Sequence, residues 1–213
     1  PKSIDYVKAF NANEDYQFGS AVVLSGDGNT LAVGATGENS AAKGINSVAK
    51  GSAIYSGAVY VYTRSATGWK QQAYVKASNT AEGAQFGSAL ALSGDGNVLA
   101  VGSPGESSSA TGVNGNQADQ SMDSAGAVYV FTRNGTTWAQ ETYLKASNTG
   151  EPEVGYTFGA AVALSSDATT LAVGSASESS AATGINGDQA DRSASQAGAV
   201  YVFVHEGATW AQQ

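Results

Sequence analysis

Two long polar segments contain the residues whose types and spacing could bind a metal ion. They run from residue 105 to 126 and from residue 177 to 198, and both are rich in Asn, Asp, Ser and Gly. The candidate ligands are Asn114, Asn116, Asp119, Asp123, Asn186, Asp188 and Asp191. Amide and carboxylate oxygens at short spacing suit Ca²⁺, a hard cation that takes oxygen ligands. The same side chains could instead cap the turns of a glycine-rich surface loop, so both interpretations stay open.

The corresponding segment in the first third of the chain, residues 37–57, argues against a calcium site at that position. It keeps Asn46 but has Ser47, Val48 and Lys50 where the later segments carry carboxylates. Calcium is therefore expected only in the two later segments.

One glutamate recurs eight residues before the asparagine of each segment (46−38, 114−106 and 186−178). The three residues are Glu38, Glu106 and Glu178. A position that recurs inside one chain performs the same task in every repeat, which favours a structural role over a catalytic one.

Aromatic side chains could supply a second kind of binding site. Trp69, Trp138 and Trp210 each begin the fourth strand that the pattern predicts in a repeat. If these strands are outermost, partial exposure of the indole would let its face stack on a sugar. The alternative is that the three indoles seal gaps between neighbouring sheets.

The chain shows no catalytic signature. Its single histidine, His205, is aligned with Thr63 and Thr132 of the earlier repeats and is expected in a solvated turn. No Ser or Asp stands at a spacing from it that suggests a catalytic triad. A nucleophile elbow, a phosphate-binding loop and zinc-ligand spacing are also missing from the sequence, so we predict no enzymatic activity.

An internal repeat positions all of these residues. Phe18, Phe86 and Phe158 are 68 and 72 residues apart (86−18 and 158−86). Each begins a strand that leads into a Gly- or Ser-rich turn and a second, apolar strand. Gly and Asn accept the positive φ of tight two-residue turns, so the pattern predicts a β-hairpin. The aspartates of these turns, which are expected to accept bonds from nearby backbone N–H groups, are Asp27, Asp95 and Asp167.

The remaining strands of each repeat follow the long polar segment. The third strand alternates β-branched and aromatic residues, and the second is apolar throughout, which predicts burial on both faces. The fourth strand, residues 69–77 and 138–146, alternates apolar and polar side chains, so one of its sides is expected to be wetter. Lysine on an outermost strand is a common guard against edge-to-edge pairing.

The last repeat has only the first half of a fourth strand in the sequence. The missing half, Tyr-Val-Lys-Ala, occurs at residues 6–9. Such a split strand can close a propeller, and it would equally serve strand exchange between chains or mark a piece of a longer array. We therefore predict one repeat domain over 1–213. Its blades are residues 10–77, 78–146 and 147–213, with residues 1–9 completing the last blade or a neighbour.

These elements predict an all-β fold of three four-stranded antiparallel sheets arranged as β-propeller blades. Closed propellers have about four to eight blades. The chain is therefore expected to be a partial propeller or half of a six-bladed assembly, which implies a homo-oligomer or further repeats.

The unit FG-x-A-VAL-S-x-D-x-x-x-LAVG followed by GAVYVF resembles the FG-GAP repeat of integrin α-subunit propellers, and it is similar to bacterial surface and secreted proteins built from such repeats. The likeness covers essentially the whole chain, three times over. The resemblance implies a propeller and an extracellular or cell-surface location. It also implies a carboxylate-dense calcium loop between the first two strands, but residues 25–30 hold one carboxylate, Asp27, so that site is expected to be lost.

Composition narrows the function further. The formal net charge is −8 and the sequence pI is near 4.5, which argues against a nucleic-acid partner, and no apolar run is long enough to span a membrane. We expect a non-catalytic recognition or adhesion module for a protein or a glycan. The alternative is a structural subunit that assembles into rings or filaments through its blade faces and its split fourth strand.

Overall fold

The computed structural model describes residues 5–49, 51–149 and 157–213. These residues form twelve β-strands in three four-stranded antiparallel sheets, and they contain no helix. The all-β prediction with three blade-like sheets is confirmed.

Each sheet contains four consecutive strands, and each strand pairs with the next one along the chain. Sheet 1 contains β1 (Phe18–Leu24), β2 (Thr30–Ala35), β3 (Ala58–Ser65) and β4 (Gly68–Val75). Sheet 2 contains β5 (Ala89–Leu92), β6 (Val98–Ser103), β7 (Ala127–Asn134) and β8 (Thr137–Leu144). Sheet 3 contains β9 (Ala161–Leu164), β10 (Thr170–Ser175), β11 (Ala199–Glu206) and β12 (Thr209–Gln212). The first strands β1, β5 and β9 lie next to one another, so β4, β8 and β12 are outermost.

The hairpins that begin each sheet are confirmed, but their turns are longer than the two residues expected. Residues 25–29 separate β1 from β2, and the Ser25 amide donates to the Thr30 carbonyl at 2.9 Å. The Asp27 carboxylate accepts bonds from the Ser25 hydroxyl at 2.5 Å and the Asn29 amide at 2.9 Å. These bonds lower the pKa of Asp27, the Ser25 bond most of all. The aspartate organises its own turn, as predicted.

The core lies between the sheets. One face of sheet 1, with Val59 and Val61, packs against the aromatic face of sheet 2, where Phe86 and Phe131 are fully buried. Sheet 2 packs against sheet 3 in the same way. Burial of large aromatic side chains is a major source of stability, and the Phe86 and Tyr129 rings add an edge-to-face contact at 5.3 Å.

Glycine permits the close approach of neighbouring sheets. A Cβ added at Gly102 would lie 2.0 Å from the Gly159 carbonyl oxygen, and one added at Gly34 would lie 2.2 Å from the Gly87 oxygen. The Phe-Gly and Leu-Ala-Val-Gly motifs of successive repeats therefore meet across each sheet interface.

Two of the three fourth-strand lysines are not the edge guards that the alternating pattern suggested, whereas Lys70 is exposed on β4 as expected. Lys76 and Lys145 are fully buried, because each side chain turns inward to a glutamate of its own sheet. His205 also differs from the prediction. It lies within β11, and its pairing with Trp210 matches that of Arg133 with Trp138, so it is equivalent to an arginine rather than to a threonine.

The N-terminal segment does not complete sheet 3 within one chain. Residues 1–4 lie outside the described residues. Residues 5–9 form no strand and run beside sheet 1, where Ala9 is buried and the Lys8 carbonyl accepts a bond from the Tyr62 hydroxyl at 3.0 Å.

Candidate functional site

The three segments between the second and third strands form the long loops of the molecule, all at the same end of their sheets. The first long loop is residues 36–57, the second is residues 104–126 and the third is residues 176–198. The second and third loops contain the predicted metal ligands, so these two loops are the candidate site.

A buried ion pair fixes the base of each of the first two long loops. Glu38 accepts a bond from Lys76 Nζ at 2.6 Å, and Glu106 accepts one from Lys145 Nζ at 2.8 Å. All four side chains are at most 4% exposed. Burial lowers the pKa of Lys76, and the glutamate beside it offsets part of that effect. These charges organise the loop, as the recurrence of the glutamate suggested.

The connector from the preceding sheet completes this network. Asn79 donates to Glu106 at 2.9 Å and accepts a bond from the Tyr129 hydroxyl, so one amide joins the loop to the third strand. Burial raises the pKa of Tyr129 well above its ordinary value, which keeps the hydroxyl protonated as a donor. Asn11 and Asn148 make the equivalent contacts in the other two sheets.

Sequence reasoning singled out the glutamates but missed these lysines, asparagines and tyrosines. Part of their signal was available, because the tyrosine and the asparagine recur at similar distances from the glutamate in all three repeats and the lysine recurs in the first two. Recurrence alone does not reveal that four residue types from a loop, a strand and a connector meet in one buried cluster.

The asparagine that begins the proposed ligand set has a structural role in the second loop. Asn114 has a φ of 54°, and its side-chain oxygen accepts a bond from the Tyr143 amide at 3.0 Å. Its own amide donates to the Tyr143 carbonyl at 2.7 Å. The loop therefore pairs with β8 as an extra, irregular strand. In the third loop, Asn186 has the same conformation, with a φ of 56°.

The carboxylates of the second loop accept bonds from the loop itself. Asp119 accepts bonds from the Ser109 amide at 2.7 Å and from the Ser121 hydroxyl at 3.0 Å. Its bonds to these serines, with the Ser109 hydroxyl contributing most, lower the pKa of Asp119 to about 2. Asn116 caps the Ala118 amide at 3.0 Å, and Asp123 lies 3.5 Å from the Ser107 hydroxyl.

The third loop repeats this arrangement. Asp191 accepts bonds from the Ala181 amide at 2.9 Å and the Ser193 amide at 3.0 Å, and Asp188 caps the Ala190 amide at 2.9 Å. Among the described residues, no group of three or more His, Cys, Asp and Glu side chains is placed to hold a metal ion. The turn-cap interpretation accounts for the observed bonds, and calcium binding stays a prediction.

The tryptophans are divided between two environments. Trp138 is 4% exposed and Trp210 is 3% exposed, and both pack between sheets, so the expected partial exposure is wrong for these two. The Trp138 indole donates to Gln72 at 2.9 Å beneath the guanidinium of Arg133. Trp69 alone is partly exposed, because it packs on the outer face of sheet 1, and stacking on a ligand stays a prediction for it.

Comparison with known families agrees with this geometry. Residues 69–131, which run from β4 of sheet 1 through β7 of sheet 2, match the FG-GAP repeat. The chain contains an FG-GAP repeat. No curated protein matches it. The matched unit contains the last strand of sheet 1 and the first three strands of sheet 2, so it spans the interface between these two sheets.

FG-GAP repeats are typical of β-propeller modules, a family that typically binds ligands and is generally non-enzymatic. FG-GAP repeats occur in extracellular proteins. In the described part of the chain, no helix is long and apolar enough to cross a membrane.

Proposed function

We propose that this chain is a non-catalytic recognition module of an extracellular or cell-surface bacterial protein, and that its second and third long loops bind a protein or a glycan. The observation that carries the proposal is the anchoring of these two loops. Each is held at its base by a buried glutamate and along its length by bonds to the adjacent connector.

The anchoring bonds repeat in both loops. Asn79 donates to the Gln117 carbonyl at 2.9 Å, and Asn148 donates to the Gln189 carbonyl at 2.9 Å. The Gln117 and Gln189 side chains also accept bonds from the serines that precede these asparagines. A loop that is already ordered loses little conformational entropy on binding, so its exposed polar groups can contribute to affinity.

The exposed groups of these loops indicate the kind of ligand. Carboxylate and amide side chains of Asn116, Gln120 and Asp123 face solvent in the second loop. Such groups pair with sugar hydroxyls or with cationic and polar side chains of a protein. The exposed residues of the first loop include a cation, Lys43, and an apolar side chain, Val48, and no carboxylate, so this loop is expected to contribute less to the same ligand.

The proposal is tested by screening the full chain on a glycan array and against immobilised extracellular proteins. A ligand found there is then titrated against Gln120→Ala/Asp123→Ala in the second loop. Thr136→Ala is the matched control, because Thr136 is exposed in the β7–β8 turn at the opposite end of the same sheet. Weaker binding of the double variant with unchanged binding of the control supports the proposal. Equal binding by all three proteins, or no ligand in either screen, contradicts it.

A further inference from the structure

Two side-chain nitrogen atoms share one buried carboxylate in sheet 2. Glu106 accepts a bond from Lys145 Nζ on Oε2 at 2.8 Å and a bond from Asn79 Nδ2 on Oε1 at 2.9 Å. The lysine is fully buried and the glutamate is 3% exposed. An amine and a primary amide are therefore held on the two oxygens of one acid group. These are the groups from which an amide bond between two side chains forms with loss of ammonia.

The carbonyl of this amide is polarised from its other side. The Tyr129 hydroxyl donates a hydrogen bond to Asn79 Oδ1. Burial raises the pKa of Tyr129 well above its ordinary value, so the hydroxyl stays a donor. A donor that is already in place in a water-excluded site stabilises negative charge as it develops on such an oxygen. Asn79 thus has an acid group at its nitrogen and a hydrogen-bond donor at its oxygen.

Burial also favours the uncharged form of the lysine. It lowers the pKa of Lys145, and the charge of Glu106 offsets part of that effect. Transfer of one proton from Nζ to the carboxylate gives a neutral amine and a neutral acid, which removes two charges from a buried cluster. The neutral amine is the form of lysine that attacks a carbonyl carbon.

Aromatic rings enclose the reacting groups. The Tyr129 ring centroid lies 5.2 Å from that of Tyr143 and 5.3 Å from that of Phe86. All three side chains are fully buried. Exclusion of water strengthens the hydrogen bonds of the cluster and removes the nucleophile that would compete with the lysine.

We propose that Lys145 Nζ forms an amide bond with Asn79 Cγ of the same chain and that ammonia is released. The ion pair between Lys145 and Glu106 is the reactant state. The reaction occurs once per chain, so it is a self-modification and not an enzymatic turnover. It is independent of the ligand proposed for the long loops.

Glu106 carries every proton that the reaction moves. Its carboxylate first takes a proton from the Lys145 ammonium group. The amine electron pair then attacks Asn79 Cγ, and the electron pair of the C=O bond moves to Oδ1, beside the Tyr129 hydroxyl. Glu106 gives its proton to Nδ2 and takes one from the attacking nitrogen. The Cγ–Nδ2 bond breaks as the C=O bond forms again, ammonia leaves, and Glu106 stays protonated, so no unpaired charge remains buried.

The new bond closes a covalent ring across two sheets. Asn79 belongs to the connector that follows sheet 1, and Lys145 directly follows β8 of sheet 2, 66 residues later (145−79). A cross-link over such a separation restricts the unfolded chain, as a disulfide does. The chain contains no cysteine, so this bond supplies a constraint that disulfides cannot supply here.

Sheet 1 contains the same groups in a less favourable arrangement. The Asn11 side-chain amide lies 3.3 Å from Glu38. Lys76 Nζ bonds to the Ser56 hydroxyl at 2.8 Å as well as to Glu38, whereas Ala125 stands in the place of that serine in sheet 2. The second bond restrains the amine and favours its charged form. The proposal is therefore confined to sheet 2.

Intact mass spectrometry of the full chain under denaturing conditions tests the proposal. The wild type is expected to be about 17 Da lighter than its sequence mass, because the bond forms with loss of one ammonia. Lys145→Arg keeps a cation beside Glu106 but cannot attack, since arginine stays protonated, so this variant is expected to regain that mass. Lys70→Arg makes the same change at the exposed lysine of β4 and should retain the loss. A wild type at its full sequence mass, or a Lys145→Arg variant with the same loss, overturns the proposal.

Peptide mapping of the wild type locates the bond without any variant. Trypsin is expected to leave the chain uncut after Lys145 and to release the peptide that contains Asn79 joined to the one that contains Lys145. Ammonia can also be lost where asparagine precedes glycine, as at Asn114, but the two peptides then stay separate. Joined peptides support the proposal, and a loss of mass with the two peptides separate overturns it.

Discussion

Lys145 Nζ lies 2.8 Å from the carboxylate of Glu106, and the two side chains are 0% and 4% exposed. The lysine directly follows β8, the outermost strand of sheet 2, and the glutamate belongs to the long loop of the same sheet. The ion pair therefore joins the loop to the end of the strand. Asn79, in the connector from sheet 1, donates to the same glutamate. The second long loop, the end of the outermost strand and the connector from sheet 1 therefore meet in one buried cluster.

Removal of the cation from this cluster is expected to destabilise the protein severely. Lys145→Met leaves the Glu106 carboxylate buried without its counter-ion, which costs about 3–5 kcal/mol of unfolding free energy. Lys70→Met is the matched control, because Lys70 is exposed on the equivalent outermost strand of sheet 1 and should change stability by less than about 0.5 kcal/mol. Urea unfolding followed by tryptophan fluorescence measures both. Similar midpoints for the two variants would contradict a structural role for the pair.

The close approach of sheets 2 and 3 predicts that Gly102 cannot be enlarged. Gly102→Ala would bring a Cβ to 2.0 Å from the Gly159 carbonyl oxygen, so the sheets must separate, at a cost of at least about 1–3 kcal/mol. Gly174→Ala is the control, because its nearest neighbour outside the adjacent residues is the Ala161 side chain at 3.2 Å. Thermal unfolding should show a lower midpoint for Gly102→Ala only. Equal midpoints would show that sheets 2 and 3 can accommodate the added methyl group at position 102 without loss of stability.

The repeat made much of the fold predictable, because hydrophobic period and turn residues act locally. The hairpins, the doubly buried β2 and β6, and the three-sheet organisation all follow from such short-range patterns, whereas the equivalent β10 is fully buried on one face only. The burial of Lys76 did not follow, because its partner Glu38 is 38 residues away and an alternating strand pattern does not distinguish a solvated lysine from one that turns inward. The environment of Trp138 likewise depends on Gln72 of another sheet, 66 residues away.

The second long loop is expected to loosen in acid before the sheets unfold. The folded pKa of Asp119, about 2, lies below its ordinary value of 3.8, so its bonds stabilise the loop fully above that ordinary value and are lost as the pH falls from 3.8 toward 2. The protection of the Ser109 and Ser121 amides against hydrogen exchange, relative to the intrinsic rate at each pH, should fall over this range. In Asp119→Asn, exchange at both amides should be faster at neutral pH and should lack this titration. Protection of both amides that is unchanged at pH 2 in the wild type would show that Asp119 does not order the loop.

The role of Asn114 separates the structural interpretation of the long loops from the calcium interpretation. Asn114→Ala removes the acceptor for the Tyr143 amide and places alanine at a φ of 54°, so it is expected to lower the unfolding free energy by about 1–3 kcal/mol even in the presence of a chelator. Asn114→Gly loses the acceptor without the backbone strain, so its loss should be smaller. Asn186→Ala is the matched control, because no strand lies beside Asn186 in the described part of a single chain.

Two measurements distinguish the interpretations for Asn114. Chemical unfolding with chelator present reports the structural role, and calorimetric titration with Ca²⁺ reports ligation. A calcium ligand at this position would give wild-type heat that Asn114→Ala abolishes, together with equal stability of the two proteins once the metal is removed. We instead expect Asn114→Ala to be less stable than the wild type after the metal is removed. The variant leaves the buried Tyr143 amide without its acceptor, which is costly whether or not a metal is present.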